Sequence, residues 1–336
     1  MIANTNLSVN ELGFGAATLG NLYHKVSDSN AHNALRKAYD CGINMFDTAP
    51  YYGFGLSERR VGDALREYDA NNIVLSTKVG RVLRQCDKAE DKYGFCSPMP
   101  FEPIYDYSYD GIMRSFEDSI QRLCVSKIDI IYMHDIGAVV HGEKHQQLFK
   151  IAMEGGYKAM DELRSQGLVS AIGLGVNEYE VCEQAMDYGY FNCFLLAGRY
   201  TLLEQEALKT FMPRCIKDNS SIVLGGPYNS GILATGTRRE GVIPHYNYAP
   251  ATENIINRVK KLEAVCDLYN VPLASAALQF PLAHPSVVCV IPGLSSATRV
   301  ESTVKDMNFN IPVDFWLELQ NRQLLDSDAP VRAEKA

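Results

Sequence analysis

Short apolar runs and helical periods alternate along the whole chain. The runs are Ile43–Asp47 (INMFD), Ile73–Thr77 (IVLST), Ile128–Met133 (IDIIYM), Ala171–Val176 (AIGLGV), Cys193–Leu196, Ile222–Leu224 and Val287–Ile291 (VVCVI), with an earlier one around Glu11–Gly15. They do not alternate apolar with polar residues, which is the pattern of parallel strands covered on both faces. Between them lie helical periods at Asn30–Asp40, Ser57–Tyr68, Asp110–Leu123, His145–Ser165, Val181–Tyr188, Glu204–Lys217 and Thr252–Tyr269. Ser57, opening SERR, and Thr252 are candidate helix caps. Glycine follows Cys41 and Gln166, where helices end.

About eight strand–helix repeats over 336 residues, with no linker, internal repeat or break in composition, predict an α/β fold. That number of strands over this length suits a closed (β/α)8 barrel, one domain over residues 1–328. The tail 329–336 (APVRAEKA) is expected to fray. Two stretches, Gly80–Tyr109 after the third strand and Gly225–Pro250 after the seventh, are longer than a connection needs. In a barrel such loops cover the C-terminal face, where catalysis takes place.

Composition narrows the function. A net charge of −8 offers nothing to attract a phosphate backbone or anionic lipid. No apolar stretch approaches the roughly 18 residues of a membrane span, and residues 1–10 carry no signal-peptide pattern. Nine cysteines, odd in number and without a CxxC pair, read as free thiols in a reducing, cytoplasmic setting.

The candidate chemistry sits at strand ends. Asp47 closes the second strand and is followed five residues later by Tyr52 in a Gly/Pro loop; Lys78 closes the third strand and His134 the fourth. A free tyrosine, with a pKa near 10, is a poor base at neutral pH. A nearby ammonium is expected to lower that value. Asp47 then orients Lys78, Tyr52 acts as general acid/base, and His134 polarises the reacting oxygen. No nucleophile or phosphoryl carrier is evident, so hydride transfer with an external cofactor fits best. Asp135 reads as a local partner of His134. His141 and His145, four apart, read as surface histidines rather than metal ligands. Trp316 reads as packing for a C-terminal helix. Tyr105, Tyr107 and Tyr109 read equally as pocket lining or as loop anchors.

GINMFDTAPYYGFGLSERRVGDAL, LSTKVG, IDIIYMHD, AIGLGVNE and VVCVIPG together resemble the aldo-keto reductase superfamily, in order and over essentially the whole chain. The resemblance implies a (β/α)8 barrel with NAD(P) across its C-terminal face and a catalytic set of Asp47, Tyr52, Lys78 and His134. It also implies cofactor contacts from Asn177, from Pro227, Ser230 and Gly231 in GGPYNSGIL, and from Gly293 and Arg299. Val176 and Leu195 or Leu196 depart from the family's carboxamide contacts, and Gly225 stands where many members stack a tyrosine. Gly293 replaces the lysine of NADP-selective members while Arg299 is kept, so NAD is expected, with NADP possible. YDYSYDGIMRSFEDSIQRLCVSKIDIIYMHDIG and LLAGRYTLLEQ resemble the aldose 1-dehydrogenase branch, to which a pyridoxal 4-dehydrogenase is related. That branch implies oxidation of an aldose at its anomeric carbon. Pyridoxal oxidation, general aldehyde or ketone reduction, and a non-catalytic, cofactor-sensing subunit are the alternatives.

Overall fold

A computed structural model of the chain describes every residue except 89, 240, 242 and 333–336. Each apolar run becomes a parallel strand: β1 (Phe14–Gly15), β2 (Met45–Asp47), β3 (Val74–Val79), β4 (Ile130–His134), β5 (Ala171–Val176), β6 (Cys193–Ala197), β7 (Ser221–Gly225) and β8 (Val287–Ile291). Neighbours in the sheet are neighbours in the chain from β1 through β8. Single parallel bridges, Leu12 to Val290 and Gly15 to Gly293, close the last strand on the first. The result is a (β/α)8 barrel.

Strands buried on both faces feed two cores. Phe46, Leu75, Ile131 and Ile172 point outward against the helices. Met45, Val74, Ile130, Tyr132, Cys193, Val223 and Cys289 fill the barrel interior, together with Ile2 from the N-terminal segment. That segment is held by Ala3 N donating to Ser221 Oγ (2.9 Å) and by Asn192 Nδ2 donating to Ala3 O (3.1 Å). Burying Ile2 contributes about 1.5–3 kcal/mol. The tail expected to fray begins ordered: Ala329 is buried and Arg332 pairs with Glu11. Residues 333–336 lie outside the described residues.

Several local expectations are corrected. Ser57 does not cap its helix. Gly55 occupies the N-cap of Leu56–Leu65, and the Ser57 hydroxyl instead donates to Ala16 O (2.8 Å) and meets Thr48 Oγ1 (2.9 Å). Thr252 holds the N-cap position of Glu253–Tyr269 without a side-chain bond. The period read over Glu204–Lys217 splits into a 3₁₀ turn, Glu206–Leu208, and a helix, Phe211–Lys217. Pro213 has no N–H and is tolerated only in a helix's first turn, so one helix cannot run through it. Gly80–Tyr109 contains an antiparallel hairpin, Arg81–Gln85 with Phe101–Tyr105. A second, smaller hairpin pairs His245–Tyr246 with Ala249–Pro250. The sequence periods do not show the helices Leu273–Gln279 and Ala297–Met307 or the single turns Ala138–His141 and Ile232–Thr235; the C-terminal helix expected around Trp316 is Val313–Asn321, and it buries Trp316.

The helix read over His145–Ser165 is interrupted by a π-helical turn, Ala152–Gly156. The widened turn ends in Gly155–Gly156, and a methyl group at Gly156 would come within 2.7 Å of Tyr107 O. The chain leaving the first hairpin therefore rests directly on helix backbone.

Candidate active site

Asp47 ends β2 and is buried. Its Oδ1 accepts from Ser76 Oγ (2.7 Å) and its Oδ2 from Lys78 Nζ (2.7 Å). Lys78, only 1% exposed in β3, also donates to Thr48 O (2.9 Å). An ammonium this deep is tolerated because a carboxylate and a carbonyl take its protons. Burial works against its charge, yet Asp47 and Tyr52 hold its pKa above the ordinary value.

Tyr52 stands on the loop after β2. Its N–H closes a turn on Ala49 O (3.1 Å), and Ser57 N bonds its carbonyl (3.1 Å). The next residue must be glycine: Gly53 has φ 64° and packs on Gly20, whose oxygen would lie 2.4 Å from any Cβ there. This contact fixes the Tyr52 ring over Lys78 Nζ, 4.6 Å from the ring centroid. His134 ends β4, edge-on to Tyr51 and Tyr52, with ring centroids 6.1 Å away in both cases. The structure thus brings Asp47, Tyr52, Lys78 and His134 to one end of the barrel.

Two electrostatic points follow. Burial raises the Tyr52 pKa and outweighs the opposing pull of Lys78, so the lowering expected from the ammonium is not realised in this state. Tyr52 is a phenol at neutral pH, with Lys78 limiting the cost of ionising it. His134 is pushed well below its ordinary value by burial and by Arg81 and Lys78, and so is a neutral imidazole. Its Nδ1 is buried and has no hydrogen-bond partner among the described residues.

Sequence reasoning missed a second cluster. Arg81, first residue of the hairpin after β3, is 3% exposed and pairs with Asp135. Its guanidinium carbon lies 3.7 Å from the Tyr51 ring centroid and 4.7 Å from that of Tyr105, and Nη2 donates to Tyr105 Oη (2.9 Å). Nε and Nη1 have no partner among the described residues. Such orphans cost roughly 1–3 kcal/mol each. Asp135 takes φ 53°, a left-handed conformation that Asp tolerates better than most residues. Its Oδ2 sits 3.5 Å from His134 Nε2. Asp135 does touch His134, but its principal partner is Arg81, which no strand-end pattern could reveal.

The three tyrosines divide. Tyr105 belongs to the Arg81 cluster. Tyr107 is an anchor, buried, donating to His134 O (2.8 Å) with His141 Nε2 at 2.9 Å. Tyr109 reaches away to Glu162 Oε2 (2.7 Å). His145 is buried rather than on the surface, its Nδ1 3.1 Å from Ile136 O, because it anchors the chain after β4. Among the described residues no three His, Cys, Asp or Glu side chains gather as a metal site.

A groove of about 430 Å³ runs from Asp47 and Tyr52 across the barrel mouth, and Asn177, Pro227, Ser230, Gly231, Gly293 and Arg299 all line it. Asn229, Ser230 and Gly231 form a tight turn with successive positive φ angles (44°, 61°, 102°), in which Asn229 N and Gly231 N donate to Gly226 O (3.0 Å) and Tyr228 O (2.9 Å). Arg299 lies in the first turn of Ala297–Met307, whose cap Ser296 Oγ accepts from its N–H (3.2 Å). An amide, a glycine-rich turn and a guanidinium lining one groove are groups that could hold the carboxamide, pyrophosphate and adenosine ends of a dinucleotide. The tip of the second hairpin crosses this groove: Tyr248 Oη donates to Asn177 Oδ1 (3.3 Å) and Tyr248 N to Ser230 Oγ (2.9 Å). Arg199 ties the crossing down through Asn177 O (2.6 Å) and Asn247 Oδ1 (3.0 Å).

Comparisons with known proteins agree with this geometry. Residues 11–321 match the sequence profile of the aldo/keto reductase family. The chain is 41% identical over 335 residues to a pyridoxal 4-dehydrogenase of Microbacterium luteolum, covering 96% of this chain and 97% of that protein. It is 33% identical over 329 residues to a D-threo-aldose 1-dehydrogenase of a Pseudomonas species, with the same coverage of 96% and 97%. Among solved structures, the holo form of an aldo-keto reductase from Bacillus halodurans superposes with a TM-score of 0.76 at 24% identity, over 97% of this chain and 96% of that one.

Proposed function

The chain belongs to the aldo/keto reductase family, and within that family of nicotinamide-dependent oxidoreductases we propose that it oxidises a cyclic hemiacetal to a lactone, with an aldose reacting at its anomeric carbon. The observation that carries this reading is a phenol and a neutral imidazole at one barrel mouth, set around a fully bonded Asp47–Lys78 pair. Tyr52 takes the proton of the hemiacetal hydroxyl, and Lys78 steadies the phenolate through which that proton passes. Neutral His134 holds the same oxygen while it becomes a carbonyl. Asp47 and Ser76 fix Lys78 beneath the Tyr52 ring. A bound nicotinamide would supply the acceptor for the hydride of the hemiacetal carbon. Asn177 would hold its carboxamide, and Pro227, Ser230 and Gly231 the pyrophosphate. The free thiols of all nine cysteines support a reducing compartment such as the cytoplasm.

An aldose and pyridoxal share a chemical form. Each carries an aldehyde within reach of a hydroxyl and closes to a cyclic hemiacetal. The 41% identity to a pyridoxal 4-dehydrogenase therefore favours a second reading, in which pyridoxal takes the aldose's place at the same residues. Gly293 offers no charge to a 2′-phosphate and Arg299 does, which supports NAD+ as the preferred acceptor with NADP+ still used.

A panel of aldoses and pyridoxal, assayed with both cofactors by nicotinamide absorbance and by product identification, tests all of this. A lactone and NADH are the expected products. If pyridoxal outruns every aldose by a wide margin, the aldose assignment fails and the hemiacetal class stands. Aldehyde reduction without any hemiacetal oxidation overturns the class. An order-of-magnitude preference for NADP+ overturns the cofactor choice.

A further inference from the structure

We infer that Arg81, seated on Asp135, is the specificity residue that holds a hydroxyl on the carbon next to the reacting carbon, the position of the 2-hydroxyl of an aldose. The inference rests on Tyr52 and His134 being the pair that holds the reacting oxygen.

The argument begins with what the guanidinium can still do. Its two faces are covered, with Tyr51 at 3.7 Å and Tyr105 at 4.7 Å from the guanidinium carbon. Only in-plane N–H groups remain for bonding. Nη2 is engaged by Asp135 and by Tyr105 Oη, whereas Nε and Nη1 are buried without a partner among the described residues. Buried donors are almost always paired, so two orphans on one side chain beside the catalytic histidine mark a place where a ligand atom belongs.

The position of the cluster says which atom. Asp135 Oδ2 bonds Arg81 and also lies 3.5 Å from His134 Nε2, so imidazole and guanidinium share one carboxylate oxygen. Tyr51 stacks on Arg81 and meets His134 edge-on. Imidazole and guanidinium are thus neighbours around Asp135 Oδ2, so one small molecule with an oxygen at His134 can reach Arg81 with an oxygen on the adjacent carbon. Charge says which kind of oxygen. Asp135 already neutralises Arg81, so the site has little net attraction for a carboxylate or phosphate. A hydroxyl suits both partners, accepting from the guanidinium and donating to the carboxylate.

The test compares lactaldehyde with propanal, which differ only by the hydroxyl on the carbon beside the aldehyde. Both are assayed as reductions with NADH or NADPH, and kcat/KM is expressed per free aldehyde. The wild-type chain should favour lactaldehyde by about 100-fold or more, since sites that hydrogen-bond a hydroxyl reject analogues lacking it. In Arg81→Met that ratio should collapse toward unity. Cofactor binding, followed by nicotinamide fluorescence, checks that the variant is folded. If Arg81→Met does not bind cofactor, Arg81→Lys, which keeps the charge and most of the stem, is held to the same standard and must also lower the ratio. A folded variant that keeps the wild-type ratio overturns the inference, as does a wild-type chain with no preference or no turnover of either aldehyde. The hemiacetal reading fails separately: an enzyme that prefers lactaldehyde through Arg81 but oxidises no cyclic hemiacetal keeps the inference and loses that function.

Discussion

Two buried cation–carboxylate pairs flank His134, and they are completed to different degrees. On the Tyr52 side, both oxygens of Asp47 are bonded and Lys78 donates to two acceptors. On the Tyr51 side, Asp135 holds Arg81, yet two of the three guanidinium nitrogens have no partner among the described residues. Buried pairs are stable when the remaining donors and acceptors are met. The Lys78 pair meets that condition from within the chain, and the Arg81 pair does not. Under the proposed mechanism the difference separates two tasks: a closed pair sets the electrostatics of the chemical step, and an open one waits for the molecule being transformed.

The largest expected effect is on the closed side. Tyr52→Phe removes the proton acceptor while leaving Asp47, Lys78 and the groove in place, and kcat should fall about 10²–10⁴-fold. Near-normal turnover in a folded Tyr52→Phe chain would sink the assignment and erase the distinction between the two sides. Stability should differ next. Lys78→Met strands a buried carboxylate, and breaking such a pair costs about 3–5 kcal/mol. Arg81→Met also strands a carboxylate but relieves two orphan donors, so its loss should be smaller by roughly 2–6 kcal/mol. Denaturant midpoints for the two variants measure this directly; equal losses would mean that the Arg81 orphans carry no cost.

The smallest effect is graded with pH. The Tyr52 pKa is raised by burial above its ordinary 10.0, so the phenol dominates at neutral pH and, under the proposed mechanism, oxidation depends on the minor, ionised form. Oxidation should therefore quicken with rising pH through the neutral and alkaline range, by up to about tenfold per unit, while reduction, which uses the phenol, stays level. His134 is lowered well below 6.5 and should add no inflection near that value. A bell centred near neutrality would point to the imidazole as the titrating group.

Much of this architecture was legible beforehand because it follows from period and position. Unalternating runs such as AIGLGV and VVCVI mark doubly covered strands, and Asp47, Lys78 and His134 end such runs. The groove contacts at Asn177, Ser230 and Arg299 came through the family resemblance. Arg81 escaped both routes, because its partner Asp135 is 54 residues away in sequence and the two meet only across β3 and β4. The hairpin that begins at Arg81 was hidden by its half-buried, irregular partner strand Phe101–Tyr105. Helices such as Leu273–Gln279 escaped for another reason: nearly every residue after its first turn is buried, so no polar face sets a period.

The π-helical turn at Ala152–Gly156 has a bearing on how this chain could diversify. Its glycine pair is absent from the lining of the groove at the barrel mouth, yet Gly156 abuts the carbonyl of Tyr107, whose hydroxyl in turn holds the carbonyl of His134. A single added carbon there would press on the end of β4 from behind. Random mutagenesis restricted to the groove would overlook this lever, and ancestral lineages could have drifted in substrate range through a position that no inspection of the pocket would nominate.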